Sequence, residues 1–216
     1  MEESCNMDWS LIFGALAAIG TVAVAILAIW GEWFRSKFAG PKLVLVPHNF
    51  RGTVTTLSVR GGMKVQAYKA IYYHLKVKNN RRWASVKNCR VLLKQLHRRG
   101  PDGKFHTVPL VVPLQFVWAP AEWAPTEQSF TDEAILDFGR LIEGTEVYEP
   151  LFYVTSANFQ GFIKANEAVR FTLQIVADNY SAIKYQVFEV AWNGKFDESL
   201  DKMEQNLRIE EINEKK

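Results

Sequence analysis

An uninterrupted apolar run near the amino terminus constrains this chain more than any other feature. Residues 9–30 read WSLIFGALAAIGTVAVAILAIW, 22 residues without a charge, of which only Ser10 and Thr21 are polar. A helix of that length rises about 33 Å, enough to cross the ~30 Å hydrocarbon core of a bilayer. A tryptophan at each end suits the two membrane interfaces. The pattern predicts a transmembrane helix over residues 9–33, preceded by a short tail, residues 1–8.

The residues around this run set the expected orientation. A buried core helix would show a polar stripe, and a signal peptide would show a basic start and a shorter apolar run. No Lys or Arg precedes the run, whereas Arg35, Lys37 and Lys42 follow it in a basic juxtamembrane linker, residues 34–42. Positive charge marks the cytoplasmic side of a membrane span. The sequence therefore predicts a single-pass protein of the cell membrane whose carboxy-terminal domain is cytoplasmic.

Small residues recur along the apolar run at helical spacing. One stripe contains Gly14 and Ala18, and a second contains Ala17, Thr21 and Ala25. Small side chains let two membrane helices approach closely, so both stripes are candidate surfaces for self-association in the lipid bilayer. The alternative is that alanine and glycine are simply common in membrane spans.

Beyond Gly40 the chain has the alternation of β-strands instead of a helical period. Apolar and polar residues alternate over residues 71–78 and again over residues 169–178. Turn sequences, such as Gly-Pro-Asp-Gly at residues 100–103, separate shorter β runs. Further strands are expected at residues 43–46, 53–60, 88–97, 114–118, 151–155, 185–192 and 207–212, and one helical turn at residues 131–137.

Many short strands separated by turns are typical of a sandwich or a Greek-key barrel. The predicted fold is mainly β, an immunoglobulin-like antiparallel β-sandwich preceded by one N-terminal transmembrane α-helix. The sandwich is expected over residues 43–212, followed by a charged tail, residues 213–216.

One stretch resembles a known family. Residues 74–92, HLKVKNNRRWASVKNCRVL, contain an alternating strand that ends in Val-x-Asn, a turn, and a small residue with Asn before the next strand. This unit is similar to the strand–turn–strand unit of CARDB-like immunoglobulin domains, although Arg-Arg-Trp stands where those turns usually carry Gly. The layout of the chain also resembles uncharacterised prokaryotic single-pass membrane proteins with one such domain. The resemblance implies an immunoglobulin-like fold. Because CARDB-like domains are commonly extracellular adhesion modules, an extracellular adhesion module remains an alternative function.

The sequence contains no recognisable catalytic or cofactor-binding pattern. Phosphate-binding glycine loops, a nucleophile elbow and zinc-type cysteine spacing are absent. Cys5 and Cys89 flank the apolar run, so they are not expected to pair. The acidic group Asp132, Glu133 and Asp137 is interpreted as solvated surface. We therefore expect no enzyme, no cofactor and no metal, and a net charge of +3 is too diffuse for specific nucleic-acid binding.

The most unusual stretch is LQFVWAPAEWAP at residues 114–125, which places aromatic side chains among prolines. Proline interrupts strand pairing, and an exposed aromatic side chain can anchor a partner. A second candidate is the stretch at residues 153–162, YVTSANFQGF, whose Asn158, Phe159 and Gly161 suit a shaped loop. The alternative is that these rings complete the core. The candidate partner-binding residues are Phe116, Trp118, Trp123, Asn158 and Phe159.

Basic residues form two clusters that would make one positive face if a single pair of strands carried both. Such a face would suit anionic headgroups or a phosphorylated ligand. A solvated sheet surface is the alternative. The candidate residues are Lys78, Arg81, Arg82, Arg90 and Lys94.

Two functional hypotheses follow. The first is a membrane-anchored, non-enzymatic interaction or scaffold module that binds a protein partner. The second is a membrane-bound sensor whose sandwich binds a small anionic ligand and signals through association of the transmembrane helix. An accessory subunit of a larger membrane complex is not separable from the first hypothesis by sequence.

Overall fold

The computed structural model of this chain describes residues 9–34, 39–61, 64–121, 123–156, 158–180 and 184–212. The predicted tails, residues 1–8 and 213–216, lie outside these ranges, as do Arg35 and Lys37 of the predicted linker. The chain divides into two compact units, Met1–Gly40 and Pro41–Lys216.

The first unit contains one apolar helix, α1, Trp9–Phe34. Its segment Ile12–Gly31 has a mean hydropathy of 2.6, and none of the segment is buried inside the protein. A helix of 26 residues rises about 39 Å. Helix α1 is therefore long and apolar enough to span a membrane, and its segment Ile12–Gly31 is not buried as a core helix would be.

The second unit is an antiparallel β-sandwich, which confirms the predicted mainly-β fold with one preceding apolar helix. The first sheet has the order β1-β2-β8-β9-β10, with β6 also beside β8. Its strands are β1 Leu43–Gly61, β2 Lys64–Asn79, β6 Val117–Trp118, β8 Glu133–Ile142, β9 Val147–Pro150 and β10 Ile163–Lys164.

The second sheet has the order β13-β12-β11-β3-β4, with β5 and β7 also beside β3. A short helix, α2, Leu200–Asn206, precedes the last strand. The strands of this sheet are β3 Val86–Arg99, β4 Phe105–Val108, β5 Leu114–Gln115, β7 Gln128–Phe130, β11 Glu167–Val176, β12 Tyr185–Trp192 and β13 Leu207–Ile212.

The two strands with the cleanest alternation are central strands of the two sheets. Strand β2 buries Ile71, Tyr73, Leu75 and Val77, while the residues between them are partly exposed. Strand β11 lies between β12 and β3 and buries every second residue from Val169 to Ile175, together with Ala168 and Thr172 on its other face. Both predictions are confirmed, because a half-buried strand places every second side chain in the core.

The core between the sheets is aromatic at its centre. The Phe138 ring centroid lies 5.5 Å from that of Phe116, 5.5 Å from that of Phe171 and 6.0 Å from that of Phe188. These rings come from β8, β11, β12 and the segment between β5 and β6, so the core joins both sheets.

The chain crosses between the sheets within a single short segment. Strand β5 pairs with β3 of the second sheet, and β6 pairs with β8 of the first sheet. Phe116 lies between β5 and β6 and forms an isolated bridge with Phe152. This segment therefore joins the two sheets along one side of the sandwich.

On another side, a buried side-chain amide joins the sheets. The Gln186 Nε2 group donates to the Leu45 carbonyl oxygen (2.8 Å), and its Oε1 accepts from the Leu45 N–H (2.7 Å). The Gln186 amide thus provides the Leu45 N–H and carbonyl oxygen with the hydrogen bonds that a neighbouring strand would otherwise make.

Strands β1 and β2 extend beyond the sandwich as a two-stranded ribbon. The last residue of β2 that also pairs with β8 is Ala70, opposite Ile142. Pairing between β1 and β2 continues from Thr56–Lys69 to Gly61–Lys64, six further residue pairs or about 20 Å.

Two predicted elements differ from the structure. Residues 131–137 form no helical turn, because β8 pairs with β2 along its whole length and the ladder outweighs the local preference of an acidic stretch. Residues 151–155 contribute only the bridge at Phe152. Helix α2 was not predicted, since seven residues are too few to show a helical period.

Candidate functional site

Three of the five predicted partner-binding residues are in the core. Phe116, Trp118 and Phe159 are buried, and the Phe116 centroid lies 4.5 Å from that of Phe152. A buried ring has no face for a partner protein. The docking prediction is therefore corrected for these three residues, which complete the core as the alternative interpretation expected.

Trp123 is the exposed aromatic residue of the same stretch. Its side chain is 82% exposed. Its N–H donates to the Pro120 carbonyl oxygen at 3.1 Å, which closes a tight turn. The fifth candidate, Asn158, is also exposed.

Side chains from neighbouring segments hold the loop that carries Trp123. The Tyr153 hydroxyl donates to the Pro125 carbonyl oxygen (2.8 Å) and accepts the Trp118 N–H (3.3 Å). The Gln115 side-chain amide donates to the Thr126 carbonyl oxygen. The loop is therefore fixed on both sides of Trp123 to the segment that joins the sheets. We call residues 119–127 the Trp123 loop.

The predicted basic face is divided between the two surfaces of the sandwich. Lys78 belongs to β2 of the first sheet, whereas Arg90 and Lys94 belong to β3 of the second sheet. In each strand these residues alternate with buried ones, so they point outward on opposite sides. The prediction of a single basic face is wrong, because the turn after β2 carries the chain to the other sheet.

The remaining two basic candidates lie in that turn. Arg82 Nε lies 3.1 Å from Asp132 Oδ1, and Arg81 is partly buried. On the second sheet, Arg90 faces Glu127 at 3.5 Å. These ion pairs are largely exposed and contribute little to stability.

The small residues of α1 remain candidates for helix association. Gly14, Ala17, Ala18, Thr21 and Ala25 are all exposed. The Thr21 hydroxyl donates to the Ala17 carbonyl oxygen (2.9 Å), so its hydrogen bond is satisfied within the helix. Both stripes therefore present small side chains, and the Thr21 hydroxyl among them is already hydrogen-bonded within the helix.

A polar cluster on the outer face of the first sheet was not recognised in the sequence. Asp137 is only 3% exposed, so its interpretation as solvated surface is wrong. His74 Nδ1 lies 2.8 Å from Asp137 Oδ1, which is ion-pairing distance, although the ring nitrogen lacks hydrogen-bond alignment. These residues are 63 positions apart in sequence, and only the β2–β8 pairing brings them together.

Neighbouring side chains extend this cluster across the sheet. The Tyr72 ring stacks on that of His74 at 6.4 Å, and Arg140 donates to the Tyr72 hydroxyl (3.2 Å) and to Glu149 (2.8 Å). Partial burial, followed by the charge of Lys76, lowers the pKa of His48. These contacts join neighbouring strands, so we interpret the cluster as a structural feature that stabilises the first sheet.

One open groove lies at the start of β3. Its volume is about 450 Å³. Its cationic group is Lys87, beside the amide of Asn88. No group of three or more metal-ligating side chains occurs in the part of the chain that the structure describes. The groove is lined by Ser85, Val86, Lys87, Asn88, Ser129, Phe130 and Thr131.

No protein-family model and no curated protein matches this chain.

Proposed function

We propose that this chain is a membrane-anchored, non-enzymatic interaction module. In this proposal α1 crosses the cell membrane, and the β-sandwich holds a protein partner at the cytoplasmic surface. The observation that carries the proposal is Trp123, 82% exposed on a loop that hydrogen bonds fix to the rest of the domain.

The physical reason is the free energy of binding. A large aromatic side chain left in water gains free energy when a partner covers it, and tryptophan is enriched among the residues that dominate interfaces. The bonds from Tyr153 to Pro125 and from Gln115 to Thr126 restrict the Trp123 loop before a partner arrives. A preorganised loop loses less conformational entropy on binding.

Two further predictions belong to the same proposal. Arg35, Lys37 and Lys42 after the helix favour a cytoplasmic domain. We also propose that the sandwich is of the CARDB-like kind, on the resemblance of the strand–turn–strand sequence at residues 74–92.

The test compares two exposed tryptophans in the full chain. Trp123→Ala is matched by Trp83→Ala, since Trp83 is 76% exposed in a different turn. Each variant is purified from its own membranes after crosslinking, and its stoichiometric partners are identified by mass spectrometry. We expect Trp123→Ala to lose the partner and Trp83→Ala to retain it, with both thermal midpoints unchanged because neither ring is in the core. Equal partner recovery from both variants would contradict the proposal.

The second candidate function is the sensor of a small anionic ligand. The observation that favours it is the groove beside Lys87 and Asn88. A ligand that binds only the folded state raises the unfolding midpoint. A panel of nucleotides and phosphorylated metabolites is expected to give a shift that Lys87→Gln removes, and a panel without any shift counts against the sensor.

A further inference from the structure

The turn between β2 and β3 presents a second exposed tryptophan on a rigid support. Trp83 follows Arg81 and Arg82 and is 76% exposed. The buried Asn79 side chain accepts from the Arg81 N–H (3.0 Å) and donates to the Ala84 carbonyl oxygen (2.6 Å). Asn79 thus fixes the turn on both sides of Trp83.

The same turn is tied to the first residues of the sandwich. The Lys42 N–H donates to Asn79 Oδ1 (3.1 Å), and the Asn80 N–H donates to the Lys42 carbonyl oxygen (2.8 Å). Lys42 comes eight residues after Phe34, where α1 ends. Eight residues reach about 28 Å at most. The covalent connection between a membrane-spanning α1 and Lys42 is therefore short.

The charge at this end of the sandwich is predominantly positive. Lys42, Lys78, Lys87 and Arg82 are exposed and Arg81 is partly buried, against the acidic residues Asp132, Glu133 and Asp178. Arg82 contacts Asp132 at 3.1 Å, with 74% and 48% of the two side chains exposed. Such an exposed pair is weak and exchangeable with another anion.

Tryptophan and basic side chains together are characteristic of protein surfaces at a membrane interface. The indole ring occupies the headgroup level, and Lys and Arg attract the anionic lipids of the cytoplasmic leaflet. We propose that Arg81, Arg82 and Trp83, which we call the Trp83 surface, bind the headgroups of an anionic bilayer. The inference rests on the membrane anchor of the proposed function and adds a direct contact between the sandwich and lipid.

The experiment uses the full chain in nanodiscs. One set contains phosphatidylcholine alone, a second contains phosphatidylcholine with phosphatidylglycerol, and each is made with and without brominated lipid, which quenches nearby tryptophan. The variants are Trp83→Phe, Arg81→Gln with Arg82→Gln, and Trp123→Phe as the matched control. The tryptophans of α1 contribute the same quenching to every sample, so the difference between wild type and Trp83→Phe isolates Trp83.

We expect brominated lipid to quench the Trp83 emission in the anionic nanodiscs. Replacing the two arginines, removing phosphatidylglycerol or adding salt should each reduce this quenching at least about twofold, because screening weakens exposed charge pairs. Trp123→Phe should leave the quenching of the Trp83 emission unchanged. Equal quenched fractions in wild type and Trp83→Phe overturn the inference, as does quenching that is independent of anionic lipid. If the turn bound a copurified protein instead of lipid, the quenched fractions of wild type and Trp83→Phe would likewise be equal, and the inference would be overturned.

The two proposals fail differently. If the chain does not insert into nanodiscs, the membrane anchor fails and the proposed function fails with it. If the chain inserts and Trp83 is not quenched, only the lipid contact of the Trp83 surface is lost.

Discussion

At the scale of single residues, a few buried polar side chains organise the loops of this sandwich. Asn79 is 1% exposed, and its amide bonds to three segments: Lys42 before β1, Ala84 in the following turn and Thr131 before β8. A buried amide is stabilising only when its donors and acceptors are satisfied. Asn79 meets this condition and is therefore a structural centre of that end of the domain.

We predict that Asn79→Ala destabilises the folded domain by on the order of 3 kcal/mol, because it leaves several buried backbone groups without partners. The matched control is Asn80→Ala, an exposed side chain for which about 0.5 kcal/mol or less is expected. Denaturant unfolding of the full chain in detergent, followed by tryptophan fluorescence, measures both. Similar midpoints for the two variants would show that the amide is not a structural centre.

At the scale of elements, the β1–β2 hairpin has two parts with different support. Near the sandwich, β2 has β1 on one side and β8 on the other. Beyond Ala70, the Lys69 carbonyl oxygen still accepts from the Glu143 N–H (2.8 Å), and the ladder pairs of the ribbon join β1 to β2 without β8. Among the ribbon residues whose side chains the structure describes, none belongs to the hydrophobic core. An isolated two-stranded ribbon is marginally stable in water, so the ribbon adds little to the stability of the domain.

We predict that the ribbon is removable without loss of the fold. Replacing residues 57–68 with Asn-Gly would join Thr56 to Lys69, a facing pair, through a two-residue turn of the kind that favours hairpins. The free energy of unfolding is expected to change by about 1 kcal/mol or less, measured by denaturant unfolding.

The control for the ribbon variant is Gly52→Ala, in the same strand. Gly52 has a φ of 81°, and an added Cβ would lie 2.4 Å from Ile71 Cγ2, so a clear loss of stability is expected. If the shortened chain also loses its cooperative transition, the ribbon is part of the folding unit and the prediction is wrong.

At the scale of the whole molecule, two cysteines on opposite sides of the apolar run give a test of orientation. Cys89 is fully buried in β3, and burial raises the pKa of its thiol to about 12. A protonated, buried thiol does not react with maleimides at neutral pH, since the thiolate is the nucleophile. Cys5 precedes the apolar run in the sequence and is therefore the thiol expected to react.

We predict that a membrane-impermeant maleimide labels Cys5 on intact cells, because the charges after α1 favour a cytoplasmic sandwich and an external amino terminus. Cys5→Ser should abolish the label, which gel shift with a polymer-linked maleimide detects. Labelling that appears only after the cells are permeabilised indicates the reverse orientation and would favour an extracellular adhesion module.

The sequence by itself determined the elements whose signal is local. Residues 9–30 need no other part of the chain to be recognised as an apolar helix, and the alternation in β2 and β11 follows from one buried face. Tertiary structure alone decided which strands pair and which side chains are covered. Trp118 and Trp123 come from one motif, yet β6 buries the first and the loop exposes the second. The physical reason is that burial and pairing depend on residues far away in sequence, whose positions no local pattern specifies.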